Sequence, residues 1–352
     1  MNVLVIGRFY AEGFAQHIAE TFASIGHNVT RFEPGLRRKG AETRLGARIN
    51  QARSVIRTAT NAIPQIRSRR MRALWREVEE RPCEVVVVCH DFLWPEEVVE
   101  LKRRTNAKVG LWFPDAACNI GKGFFMNAPY DGLFFKDPYI VQALSGVLQS
   151  PVYYLPECYN PARHRLPEGE EPGPEYRCDI TTAGNAHSWR VAFYKHLATY
   201  DVKLWGPAPS LWMPLGPVAA MYQGRSVLDE DKARAFLGAK IVLNTLHYAE
   251  VWGLNVRTFE AAGIGAFQMV DWRPGLAQMF EDGKELVSFR SLADCLGKVD
   301  YYLSHEAERL AIARAGRVRA ARDHTYSHRL RLLLDTLAGA ATGYPLPSIA
   351  YV

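Results

Sequence analysis

The sequence predicts an α/β protein built as two doubly wound parallel-sheet halves. Three observations carry that expectation. Short apolar runs alternate with amphipathic helical stretches along nearly the whole chain. The valine run within Cys83–His90 is almost unbroken, as a parallel strand covered on both faces requires. A stretch with four prolines and no periodic pattern, residues 158–176, separates two such series. At 352 residues the chain is long enough for two domains of ordinary size. The expected division is a first domain over 1–157, a linker over 158–176, a second domain over 177–335 and a tail over 336–352.

In chain order, Asn2–Gly7 reads as a buried strand, Glu12–Ile25 as an amphipathic helix stopped by Gly26, and His27–Phe32 as a second strand. A basic helical region fills 41–80. Then come the valine strand, a helix over Pro95–Arg104, strands over Lys108–Phe113 and Gly132–Lys136, a helix over Tyr139–Leu148 and a strand over Val152–Leu155. After the proline-rich break the alternation restarts. Asp179–Ala183 is a strand, Ser188–Tyr200 a helix, Val202–Trp205 a strand, Asp229–Leu237 a helix and Ile241–Thr245 a strand. Residues 303–321 and 327–338 read as long helices, and the last thirteen residues as extended and loosely held.

Hydrophobic residues make up 48% of the chain and charged residues 23%, the balance of a soluble globular protein. Six cysteines (Cys83, Cys89, Cys118, Cys158, Cys178 and Cys295) are scattered without a Cys-x-x-Cys pair, which fits a reducing cytoplasm. Met1–Arg8 is too short in its apolar part for a signal peptide, and no apolar run approaches the length of a membrane helix. The net charge of +6 is unevenly spread: residues 36–76 hold twelve Lys or Arg and a single acid, Glu42. There Leu45, Ile49, Ala52 and Ile56 recur at helical spacing, with Arg44, Arg48, Arg53 and Arg57 around the other faces. Such a helix suits an anionic membrane surface or a phosphorylated acceptor, and equally a solvated flank. It lacks the interleaved aromatics of a nucleic-acid module, so no nucleic-acid partner is expected.

Residues 244–271 carry the densest chemical signal. They read as a buried strand, a loop at Gly253, a short helix bearing Asn255, Arg257 and Glu260, a glycine stop at Gly263 and a further strand. A helix start at the end of a parallel strand offers unpaired N–H groups and a positive dipole end, which suit a diphosphate. Glu260 lies about 1.5 turns beyond Asn255, beside such an anion, where its carboxylate can accept two hydroxyls of a ribose.

Gly253-Leu254-Asn255-Val-Arg257-Thr-Phe-Glu260-Ala-Ala-Gly263, followed by Phe267-Gln-Met-Val-Asp271, resembles the carboxyl half of group-1 glycosyltransferases, and within them the CgeB-like, spore-maturation branch. That branch has Asn-x-Arg-x-Phe-Glu-Ala where other members carry Glu-x7-Glu. Here Trp252 stands eight residues before Glu260, and the nearest earlier acid is Glu250. The resemblance implies the GT-B architecture, two Rossmann-like domains facing a cleft. It also implies transfer of a sugar from a nucleoside-diphosphate donor, without a metal and with retention of configuration.

On that reading Gly184, Asn185, Arg190, Gly253, Leu254, Asn255, Arg257 and Glu260 bind the donor, and Arg257 neutralises the departing diphosphate. Three strand ends of the first half, at His90-Asp91, at Pro114-Asp115 and at Lys136-Asp137, point to the presumed cleft. His90, Asp91 and Asp115 are chemically suited to take or hold the acceptor's proton. Gly7, Arg8 and Tyr10 fall on the acceptor side. Gly7 and Gly13 do not make Gly-x-Gly-x-x-Gly, so a bound dinucleotide is not expected. Asp229-Glu-Asp231 opens a helix and reads as capping, so neither a catalytic metal nor a cofactor is expected. The acceptor class stays open between glycan, lipid-linked and small-molecule hydroxyls, with a non-catalytic glycan or phospholipid binder on the same scaffold as the alternative. The expected location is cytoplasmic, with possible contact at the inner membrane surface through residues 36–76.

Overall fold

A computed structural model describes residues 1–34, 63–207, 209–210 and 212–348. Within them the first series of elements runs β1 Asn2–Ile6, α1 Phe14–Ser24, β2 Asn28–Phe32, α2 Pro64–Glu80, β3 Val85–Cys89, α3 Pro95–Thr105, β4 Lys108–Phe113, β5 Gly132–Phe135, α4 Pro138–Leu144 and β6 Val152–Tyr154. The second runs β7 Cys178–Ala183, α5 Ser188–Tyr194, β8 Val202–Trp205, α6 Val218–Met221, α7 Asp229–Leu237, β9 Ala239–Asn244, α8 Val256–Ile264, β10 Gln268–Asp271, α9 Leu276–Met279 and β11 Val287–Phe289. Three helices close the chain: α10 Leu292–Ser304, α11 Glu306–Asp323 and α12 Tyr326–Leu337.

Among the described residues the strands form two sheets, ordered β2-β1-β3-β4-β5-β6 and β11-β10-β9-β7-β8, and the strand pairs are parallel throughout. All five residues of β3 are buried, which is why its sequence is apolar at every position. In each sheet the winding reverses once, between β1 and β3 and between β7 and β9. Ligands of doubly wound sheets collect beyond the strand ends at such reversals. Here the two reversal points face each other across a cleft, the GT-B architecture.

Helix α1 buries Ala15, Ile18, Ala19 and Phe22, a stripe at helical spacing that packs on Val3, Val5 and Val87 of the first sheet. Helix α8 begins at Asn255, whose Oδ1 accepts from the Thr258 N–H at 3.1 Å, and ends at Gly265 with φ of 90°. The stop is therefore Gly265, not Gly263. Gly263 lies inside the helix because Tyr159 packs on it: a Cβ there would be 2.3 Å from the tyrosine ring. The helix read over Ser188–Tyr200 ends at Tyr194 and passes through a 3-10 turn, Lys195–Leu197. The two long helices read near the carboxyl end are three, divided at His305 and again at His324-Thr325, and the short strand β11 precedes them.

The last helix returns to the first sheet. Tyr326, Leu330, Leu333 and Leu337 of α12 pack with Val3, Val5, Trp112 and Phe134. Gly110 and Gly132, in adjacent strands, make room for it: a Cβ on either would lie 3.1 Å from the Leu337 methyls. Cys158, Tyr159, Asn160 and His164, at the start of the stretch read as linker, are buried. Tyr159 exchanges backbone hydrogen bonds with His324 and Tyr326.

The basic region read over 41–80 lies outside the described residues up to residue 62. From Pro64 onward it is helical, with Met71, Leu74 and Val78 in the core and Arg69, Arg72 and Arg76 exposed. Arg67 is buried instead and forms an ion pair with Glu97. Among the described residues no helix is long and apolar enough to cross a membrane.

Candidate active site

A cavity of about 570 Å³ lies between the two strand reversals, lined from both halves. Arg8, Tyr10 and Glu12 follow β1, and Cys89 and His90 close β3. Asp115 follows β4, Lys136 ends β5, and Glu157 lies just beyond β6. The second half contributes Gly184, Asn185, Arg190, Glu250, Asn255, Val256, Arg257 and Glu260.

The second half builds an anion cradle. Asn244, the polar end of the apolar strand β9, is fully buried and exchanges amide hydrogen bonds with Asn255 at 2.9 and 3.0 Å. Its Oδ1 also accepts from Nη1 of Arg257 at 3.1 Å, so one strand residue fixes both the helix start and the arginine. Arg190 donates to the carbonyls of Asn185 at 3.0 Å and Thr245 at 3.1 Å, and its Nε has no partner. Among the described residues neither arginine forms an ion pair with a carboxylate. Burial and the neighbouring Arg190 charge hold the Arg257 guanidinium down to about 10. Two guanidinium groups and the start of α8 therefore line one cavity, with no carboxylate ion-paired to either arginine among the described residues. A diphosphate meets that need.

Glu260, one turn further on, is buried and ion-paired with Lys232 of α7 at 3.0 Å. Lys232 also reaches Glu12 at 2.5 Å, so the lysine joins the two halves. His164 completes the group: its Nδ1 accepts from the Asn160 N–H, which leaves the proton on Nε2, 3.4 Å from both carboxylates. Burial opposes ionisation of Glu260, but Lys232 and His164 outweigh it and keep its pKa below the usual range. Glu12, His164 and Glu260 present three ligand atoms within 4.8 Å of one another. The Lys232 ammonium already supplies a positive charge to that group. Asp229 and Asp231 do not form a joint site: Asp229 pairs with Arg163 at 3.1 Å, and Asp231 pairs with Arg225.

In the first half, His90 and Asp115 meet, with Nε2 3.1 Å from Oδ2. His90 adopts φ of 96° and its Nδ1 accepts from the Asp91 N–H, so Nε2 carries the proton and donates to Asp115. Both ring nitrogens are engaged. Asp115, half exposed and held below the ordinary carboxylate range chiefly by the His90 hydrogen bond, is the group that offers a free charge to the cleft. Asp91 turns away: its carboxylate accepts from the N–H groups of Phe124 and Phe125 and anchors that loop.

Arg8 and Tyr10 line the mouth, and Tyr10 is 63% exposed. Gly7 does not line the cavity; a Cβ there would lie 2.4 Å from Ala15, so it is a helix-to-strand contact. Gly253 and Leu254 also stand back from it. Leu254 is in the core, and Gly253 lies against the backbone of Lys136 and Asp137. That loop is tied across the cleft by the buried Lys136–Glu250 pair at 2.8 Å and by the Asp137 carboxylate, which accepts from the N–H groups of Val251 and Trp252. Glu12, Glu157, His164, Lys232 and Asn244 belong to the site without standing in any motif of the sequence. Only Asn244 carries a local signal, as a polar residue ending a buried apolar run.

Residues 188–335 match a family described as glycosyl transferase-like. The span includes Arg190, Lys232, Glu250, Asn255, Arg257 and Glu260. No curated protein matches the chain. Among solved structures, a glycosyltransferase from Rickettsia africae is similar with a TM-score of 0.64 at 11% identity, over 96% of this chain and 98% of that one. Sucrose-phosphate synthase from Thermosynechococcus elongatus gives 0.60 at 11% identity, over 97% and 100%. Anabaena Alr3699/HepE in complex with UDP-glucose gives 0.62 at 9% identity, over 96% and 100%. The chain thus has the GT-B fold across nearly its whole length.

Proposed function

We propose that the protein is a glycosyltransferase that moves a sugar from a nucleoside-diphosphate donor to an acceptor hydroxyl. One observation carries the reading: Arg190 and Arg257, without a carboxylate partner, converge with the start of α8 on the cavity that Glu260 also lines. The diphosphate takes the arginines and the backbone at Gly184 and Asn185. The ribose hydroxyls donate to ionised Glu260. A UDP sugar is the first donor to examine, because Alr3699/HepE, of the same fold, holds UDP-glucose.

Catalysis on this reading comes from positioning and from stabilising the leaving diphosphate, with Arg257 as its main cation. Asp115, oriented by His90, faces the acceptor hydroxyl, and Arg8 and Tyr10 flank its entry. Glu250 supplies a carboxylate near the transferred sugar, two residues before the usual position; its Oε2 has no partner. The metal-independent, retaining course and the CgeB-like affiliation follow the Asn255-x-Arg257-x-Phe259-Glu260-Ala261 pattern. The acceptor is a glycan, lipid-linked or small-molecule hydroxyl, and a cytoplasmic site with contact between residues 36–76 and an anionic membrane surface completes the proposal. Incubation with a panel of nucleotide sugars, with products read by mass spectrometry, tests it. Release of nucleoside diphosphate from one donor supports it; binding without turnover of any donor favours the non-catalytic glycan binder.

A further inference from the structure

Glu157 is the buried acid of the cavity that nothing yet explains. It is 3% exposed, it lines the cavity, and its Oε2 has no hydrogen-bond partner. A buried carboxyl oxygen without a partner is costly and rare outside functional sites. Its backbone is held firmly: Arg329 of α12 donates to the carbonyls of Pro156 at 2.9 Å and Glu157 at 3.4 Å. Arg329 thus fixes the backbone from which the side chain enters the cavity lining.

The charges around it are unequal. Lys136 favours an ionised Glu157, but that ammonium is committed to Glu250 at 2.8 Å. Glu250, Asp115 and Glu260 all oppose ionisation. Burial together with these three carboxylates pushes the Glu157 carboxyl up to about 8. As a neutral acid Glu157 can donate a hydrogen bond, which the carboxylates lining the same cavity cannot.

We propose that Glu157, as the neutral acid, donates a hydrogen bond to an oxygen of the sugar being transferred. Depth selects the sugar over the acceptor. Glu157 and Glu250 line the cavity at 3% and 4% exposure, whereas Tyr10, on the acceptor side, is 63% exposed. The assignment rests on the glycosyl-transfer reading above.

The test uses Glu157→Gln, which keeps a donor and an acceptor at every pH, and Glu157→Leu, which keeps neither. The infrared difference spectrum of wild type minus Glu157→Gln at neutral pH shows a protonated-carboxyl band; an ionised-carboxylate band overturns the proposal. Calorimetry with UDP and GDP gives equal affinities for wild type and both variants, since Arg190, Arg257 and Glu260 hold those ligands. With the intact nucleotide sugar, Glu157→Leu binds about tenfold more weakly, the size expected of one lost hydrogen bond. Glu157→Gln stays near wild type and loses the weakening that wild type shows above about pH 8. Unchanged sugar affinity in Glu157→Leu, or a defect confined to the acceptor KM, overturns the proposal. Failure of wild type to bind either nucleoside diphosphate instead overturns the glycosyl-transfer reading.

Discussion

Arg257 rests directly on Gly184: a Cβ atom at position 184 would lie 2.2 Å from its Nη2. Gly184 also holds φ of 138°, so two constraints exclude a side chain there. In Gly184→Ala the end of the flexible arginine swings away, and the backbone strain costs about 1–3 kcal/mol. The expected result is a modest fall in melting temperature with a larger loss of nucleotide affinity. A folded variant with unchanged affinity would remove Arg257 from the diphosphate site.

The acid side of the stability profile follows from buried imidazoles. Burial, aided by the neighbouring His164, holds His17 down to about 4, and burial with Arg329 holds His324 down to about 3. Both lie below the unfolded value, so the unfolded chain takes up these protons first. Their stabilisation is complete above roughly pH 6.5 and is lost as pH falls, at about 1.4 kcal/mol per unit per group. Glu12 behaves as a depressed carboxylate: burial raises it, but His164 and Lys232 bring it to about 2. Its contribution is lost only between the ordinary carboxylate range and that value. Melting temperature should therefore fall between neutral pH and pH 5, and the double variant His17→Gln/His324→Gln should flatten that slope. A wild-type profile already flat over this interval contradicts the assignment.

What the sequence made legible is local. The strands stand out because parallel strands buried on both faces leave unbroken apolar runs such as Val85–Cys89. The α8 half of the site stands out because Asn255, Arg257 and Glu260 are set by one helix start and its spacing. Glu12, Glu157, His164 and Lys232 come from four separate segments, and only the packed fold brings them together. Helix α12 shows the same limit: its apolar stripe announces a buried face but not that the sheet beneath it is the first one. The three-residue strand β11 is too short for a period to declare itself.

Turnover should survive chelation. Asp229 and Asp231 are paired with different arginines, and Lys232 serves the Glu12–Glu260 pair. Loss of activity in EDTA with recovery on adding Mn²⁺ would show that a metal takes part.

The basic segment makes a separate prediction about context. If residues 36–76 meet a membrane-surface acceptor, binding to anionic vesicles falls steeply with salt, each basic residue contributing on the order of 1 kcal/mol. Changing Arg44, Arg48, Arg53 and Arg57 to Gln should abolish co-sedimentation and leave nucleotide affinity intact. No binding by the unmodified protein at low salt points to a soluble acceptor.

The central claim is that the Arg190–Arg257–Glu260 constellation holds a nucleoside diphosphate. Calorimetric titration of wild type, Arg257→Leu and Glu260→Ala with UDP and GDP tests it most directly. Wild type should bind one of the two saturably. Each variant should lose roughly 1.5–3 kcal/mol, the range for hydrogen bonds to charged groups. Binding of neither nucleotide by wild type, or equal affinity in all three proteins, would contradict the account.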